Sequence, residues 1–166
     1  MSPPEKPLVC VGTVAAMLLL ATPIAARAAE GVSCSLSVTS LAFGKYVPFS
    51  GAPADFTATI TVACSATGQA AASIRGTVSL AGATGPSGRE LSGGSHRLRY
   101  QLYLDPARTV SWGDGNGGSG TGTVSGTVGQ GTPFRQTLTV YGRLLARQSN
   151  ASVGQYTDQI AVVLNY

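Results

Sequence analysis

The chain has 166 residues, a formal net charge of +4, and a composition that is 43% hydrophobic and 11% charged. That length suits one domain with a real core. The basic residues are scattered apart from Arg97 and Arg99, so the charge excess excludes a nucleic-acid footprint, and nucleic acid is not an expected partner.

The N-terminus comes first. Lys6 supplies a positive start, Leu8 to Ala21 is an almost unbroken apolar run of 14 residues, and Ala26-Arg27-Ala28 is a small-x-small site. This is the layout of a secretory signal peptide, and the run is too short to span a bilayer comfortably. Residues 1–28 are expected to be removed, leaving an exported domain over 29–166. No later stretch reads as a membrane span. Of the three cysteines, Cys34 and Cys64 remain, and an even count in an exported chain implies a disulfide between them.

Strand signals follow in order. Cys34, Leu36 and Val38 alternate with serines. Phe56, Ile60, Val62 and Cys64 share one face of a second run, with three threonines on the other face. Both cysteines therefore fall on core-facing sides. Leu98, Tyr100, Leu102 and Leu104 alternate with Arg97, Arg99, Gln101 and Tyr103, and Leu138 and Val140 alternate with Thr137, Thr139 and Tyr141. Ile160, Val162, Leu164 and Tyr166 are predicted to form the last strand. A period of two rich in β-branched residues is the signature of half-buried strands. Turn-rich stretches lie at 51–53, 82–94 and 149–154. The pattern predicts an all-β antiparallel sandwich with little helix. Residues 113–131 hold nine glycines and read as a mobile hairpin connection, because a phosphate loop would need a following helix and a Lys-Ser/Thr pair.

The residues offer no catalytic constellation. His96 is the only histidine and sits at a turn, and there is no Gly-x-Ser-x-Gly elbow to accompany it. No ligand set for zinc is present once the cysteines pair, and the Asp114-Gly115-Asn116 run lacks the glutamate that closes a calcium loop. No cofactor, metal or enzymatic activity is expected. Trp112, Tyr103 and Tyr141 offer the alternative of stacking platforms in a secreted carbohydrate-binding module, and a small hydrolase is the remaining reading.

Taken together, Cys34, Phe43-Gly44-Lys45-Tyr46, the Thr-rich run into Cys64, Leu98 to Asp105, Trp112-Gly113-Asp114-Gly115, Val140-Tyr141-Gly142-Arg143, Gly154-Gln155-Tyr156-Thr157-Asp158, and a final strand to Tyr166 resemble the spore coat protein U domain family. The resemblance covers residues 32–166. It implies a secreted subunit of an archaic chaperone–usher pilus or coat, serving attachment and biofilm formation. It also implies an immunoglobulin-like sandwich that lacks its final strand. The implied partners are a periplasmic chaperone, an outer-membrane usher and neighbouring pilus or coat subunits, met in the periplasm and then at the cell surface. The chaperone or a neighbour supplies the missing strand, and the accepting edge would be Ile160, Val162, Leu164 and Tyr166. In this reading no segment after Tyr166 covers that edge.

One feature departs from the shaft-subunit pattern. After cleavage at Ala28 only residues 29–33 precede Cys34, and Val32 is their one large apolar side chain. Five extended residues reach about 17 Å, too little for a donor strand. The expectation is a tip or minor subunit that accepts a strand but does not donate one.

Overall fold

The computed structural model describes residues 31–44, 46–68, 70–82, 88–152 and 154–166, so the expected signal segment lies outside the described residues. Eight strands carry the described chain: β1 (Val32–Val38), β2 (Ala54–Ala66), β3 (Ala72–Leu80), β4 (Arg89–Gly93), β5 (His96–Tyr103), β6 (Gly122–Val128), β7 (Phe134–Leu144) and β8 (Val162–Asn165). They form a five-stranded sheet in the order β1-β2-β7-β5-β4 and a three-stranded sheet in the order β6-β3-β8, with every ladder antiparallel. The two sheets form a sandwich-like fold in which one sheet is strongly curled, as the alternating pattern predicts.

The long β2–β7 ladder, from Ala54 opposite Leu144 to Cys64 opposite Phe134, is the spine of the larger sheet. Its inward positions, among them Ala58, Ile60, Val62, Val140 and Leu144, are buried. On its outward face Thr59 stands opposite Thr139 and Thr61 opposite Thr137, with the Thr61 and Thr137 hydroxyls 3.1 Å apart. From the smaller sheet, Ile74, Val78, Leu80, Val124 and Val128 complete the core.

Three sequence expectations need correction. The glycine-rich stretch is not a plain connection, because β6 runs through it. Its inward glycines are there for space: a Cβ on Gly122 would stand 2.7 Å from the Trp112 ring, and one on Gly126 would overlap the Phe134 ring. Glycine there lets large rings from elsewhere fill the core, which hides the strand from any hydrophobic-period reading. The turn-rich stretch 82–94 likewise contains β4. The final strand is shorter than predicted: β8 begins at Val162, Ile160 precedes it, and Tyr166 follows it with 59% exposure. Ile160, Val162 and Leu164 are nonetheless packed against the core.

Cys34 and Cys64 stand directly opposite each other on β1 and β2 and are joined, with an S–S distance of 2.07 Å. β1 is the edge strand of its sheet and only seven residues long. The bond therefore ties a peripheral strand to the spine. Its closed loop spans a sequence separation of 30 residues. In the chain-entropy account, closing a loop of that size contributes roughly 3–4 kcal/mol. Replacing both cysteines by serine should lower unfolding free energy by about that much, read as an earlier urea midpoint. An unchanged midpoint would contradict the assignment of β1 to this staple.

Candidate functional site

Each sheet has two edges, and they are treated differently. The β6 edge is covered by Gln136 of β7. Its amide nitrogen donates to the Thr123 carbonyl at 3.1 Å and its oxygen accepts the Ser125 N–H at 3.2 Å. One side chain thus stands in for a neighbouring peptide. The β4 edge is bridged by Thr157, which exchanges two backbone hydrogen bonds with Ser92 at 2.8 and 3.0 Å. The β1 and β8 edges have no strand beside them among the described residues. They are joined at one end only, where the Cys34 N–H donates to the Tyr166 hydroxyl at 3.3 Å.

Away from that contact the two sheets part around a cleft of about 710 Å³. One wall is the segment from Val38 to Pro48 that leaves β1, and the other is the segment from Ala151 to Val162 that enters β8. The floor is the core itself: Ala58, Ile60, Leu80, Leu91, Leu98, Tyr100, Leu102, Val140 and Leu144. An apolar core open along unpaired strand edges is a template for another strand.

Each wall is fixed by specific contacts. Phe43 packs edge-on to Phe56 and to Tyr100, with ring centroids 5.2 Å apart in both pairs. Gly142 allows this, since a Cβ there would stand 2.7 Å from Leu41 and 3.4 Å from Phe43. Gly44 adopts φ +65°, a left-handed turn that suits glycine. The Tyr46 hydroxyl donates to the Leu145 carbonyl at 3.1 Å and accepts the Gln148 N–H at 2.8 Å. On the other wall, Tyr156 lies over Gly93, where a Cβ would stand 2.7 Å from the ring, and its hydroxyl bonds Ser152 twice at 3.0 Å. The buried Tyr100 hydroxyl donates to the Asp158 carboxylate at 2.6 Å. Burial first, then that bond, pushes the Tyr100 phenol above its usual value, so it stays a donor. Arg89 is 4% exposed and joins the sheets, donating to the carbonyls of Ala81 at 2.7 Å and Leu80 at 3.2 Å.

The residues singled out from sequence thus fall in two places. Phe43, Gly44, Tyr46, Tyr100, Gly142, Gly154, Tyr156 and Asp158 gather at the cleft, as do Ile160 and Val162. Leu164, Tyr166 and the disulfide lie beyond its closed end. Asp105, Trp112, Gly113 and Asp114 sit in loops elsewhere. The Asp105 carboxylate accepts the N–H groups of Val110 and Thr109 and the Thr109 hydroxyl, and the first of these leads in holding it below the usual carboxylate value. Asp114 closes its own turn by accepting the Asn116 N–H, which lowers it likewise. Gly113 gives its carbonyl to the Leu80 N–H. Trp112 corrects the stacking-platform expectation: it is 2% exposed and its ring N–H donates to the Val78 carbonyl at 2.9 Å. Tyr103 and Tyr141 do face each other across β5 and β7, but the Arg108 guanidinium lies 5.9 Å over the Tyr141 ring. Nothing in the sequence points to Arg89, since one arginine in an apolar phase carries no signal of what it bonds.

The model of the Spore Coat Protein U domain matches residues 20–163. The chain belongs to the spore coat protein U domain family. The family is associated with secreted pilus and coat subunits and is structural and non-catalytic. No curated protein matches the chain. Family membership and the disulfide fit an exported protein. No helix among the described residues is long and apolar enough to cross a membrane.

The Tyr100–Asp158 bond ties a spore coat U cleft wall to its floor. Tyr100→Phe should cost about 1–3 kcal/mol, because the hydroxyl is buried and its partner is charged. It should also speed amide exchange at Thr157, whose N–H bonds the β4 edge. Unchanged stability and exchange would show that the wall is held by packing alone.

Proposed function

We propose that this chain is a non-catalytic subunit of a secreted pilus or coat that accepts a strand from a partner chain into the cleft between β1 and β8. The observation that carries this reading is the pairing of an apolar cleft of about 710 Å³ with two neighbouring unpaired strand edges. An added strand gains main-chain hydrogen bonds from an edge and buries alternate side chains in the core. Each large apolar side chain fully buried contributes roughly 1.5–3 kcal/mol. A periplasmic chaperone would fill the cleft during transit, and a neighbouring subunit after passage through the usher. Ile160, Val162 and Leu164 present the accepting edge, with Tyr166 marking its closed end.

The same reading makes the chain an acceptor only, at a tip or minor position. In the segment 29–33 that would precede Cys34, the one large apolar side chain is Val32. It already belongs to β1, opposite Ala66, and packs against this chain's own core. It is committed at home and has nothing left to donate. A carbohydrate-binding face is less well supported, because Trp112 is buried and the Tyr141 face is covered.

The test uses a synthetic peptide of about ten residues, the length of a long strand, with Val, Ile or Leu at alternate positions. It should raise the Tm of the purified protein, while a peptide with the same composition in scrambled order, or one copying residues 29–33, should not. Val38 lines the cleft yet is 50% exposed, so Val38→Asp should leave folding intact and weaken peptide binding. Equal Tm shifts from ordered and scrambled peptides would contradict strand acceptance.

A further inference from the structure

Among the described residues lining the cleft, Asp158 carries the only charge. Its two oxygens are only partly satisfied: one accepts the Tyr100 hydroxyl at 2.6 Å and the other its neighbour's N–H, from Gln159, at 2.8 Å. The ion pairs of the described residues lie elsewhere, where Asp55 takes Arg143 at 2.7 Å and Arg108 at 3.4 Å. Arg89 is near enough to be influenced by Asp158, but both its terminal nitrogens are given to backbone carbonyls. With the cleft open, Asp158 is exposed and its remaining lone pairs are accessible to water.

A strand laid along the β8 side removes that water. A carboxylate buried without a new donor costs more than an apolar contact gains, so an occupant that covers Asp158 must bring compensation. Asp158 and Ile160 precede β8, which begins at Val162, yet these three residues line the cleft while Gln159 and Ala161 between them do not; an extended occupant presents one face with the same period of two. We propose that the cleft selects an extended segment of another protein chain whose apolar side chains, at alternate positions, are joined in the same phase by a single lysine or arginine that meets Asp158. The cation belongs two positions from the side chain that meets Ile160 and four from the one that meets Val162. The inference rests on the strand-acceptor reading and adds a charge rule to it. Such a rule discriminates among donors more than it tightens binding, which is what an assembly of several similar subunits requires.

Three peptides of about ten residues, identical except for Lys, Met or Glu at that position, test the rule by calorimetric titration into the disulfide-intact protein. Two sets, with the variable residue at either end of the apolar run, cover both directions of strand addition. In one set the Lys peptide should bind about tenfold more tightly than the Met peptide, with the Glu peptide weakest. The preference should shrink as ionic strength rises, while Met-peptide binding holds. Asp158→Asn, which keeps an acceptor for Tyr100, should bind Lys and Met peptides equally. Equal binding of Lys and Met peptides by the wild type in both sets would overturn the charge rule while leaving strand acceptance standing. So would a Lys preference that survives in Asp158→Asn or is indifferent to salt. Binding of no peptide would overturn the strand-acceptor reading itself and the rule with it.

Discussion

A two-layer β-structure excludes water from its core only where both sides of the sandwich are covered. In this protein that condition is met on one side and not on the other. The β6 edge is closed by a single glutamine, whose amide supplies the donor and acceptor that a ninth strand would otherwise bring. The opposite side, between β1 and β8, is joined among the described residues by the hydrogen bond of Tyr166 with Cys34. The proposed strand-acceptor role follows from that asymmetry: an apolar opening flanked by unpaired strand edges is a template for another strand.

Leaving a core open requires that the opening not collapse. Three devices hold it. The disulfide secures β1 to the spine although β1 has a neighbour on one side only. Arg89, buried between the sheets, fixes the end of β3 through two carbonyls. The aromatic contacts of Phe43 and the Tyr100–Asp158 bond set the two walls at fixed distances from the floor. The charge that the last of these places at the cleft sits where an incoming strand must either match it or leave it stranded.

Much of the fold was legible in the sequence, for a physical reason. β1, β2, β5 and β7 bury their own side chains, so their inward positions are apolar and the period of two is visible. β3 and β6 place glycines at Gly76, Gly122 and Gly126, where the Asn165 carbonyl, the Trp112 ring and the Phe134 ring respectively lie against the backbone. Both strands also bury Ile74, Val78, Leu80, Val124 and Val128, but the glycines interrupt the apolar period in that same inward phase, so periodicity alone does not reveal them. The cleft was legible only through resemblance. Phe43, Tyr46, Tyr100, Gly142, Tyr156 and Asp158 are far apart in sequence, and nothing in their local patterns indicates that they meet. Trp112 shows the converse: a lone tryptophan in a glycine-rich stretch looks like exposed stacking surface, yet those glycines are what let it be buried.

The central claim is that the β1–β8 side of the core is the open one and is completed by a strand from outside. Hydrogen–deuterium exchange, compared with and without a saturating alternating apolar peptide, tests it most directly. The account predicts that exchange slows strongly in Val162–Asn165 and around Val38, and hardly at all in β6, whose edge Gln136 already covers. Slowing confined to β6 or to the outer threonine face, or none along β8 despite binding, would contradict it.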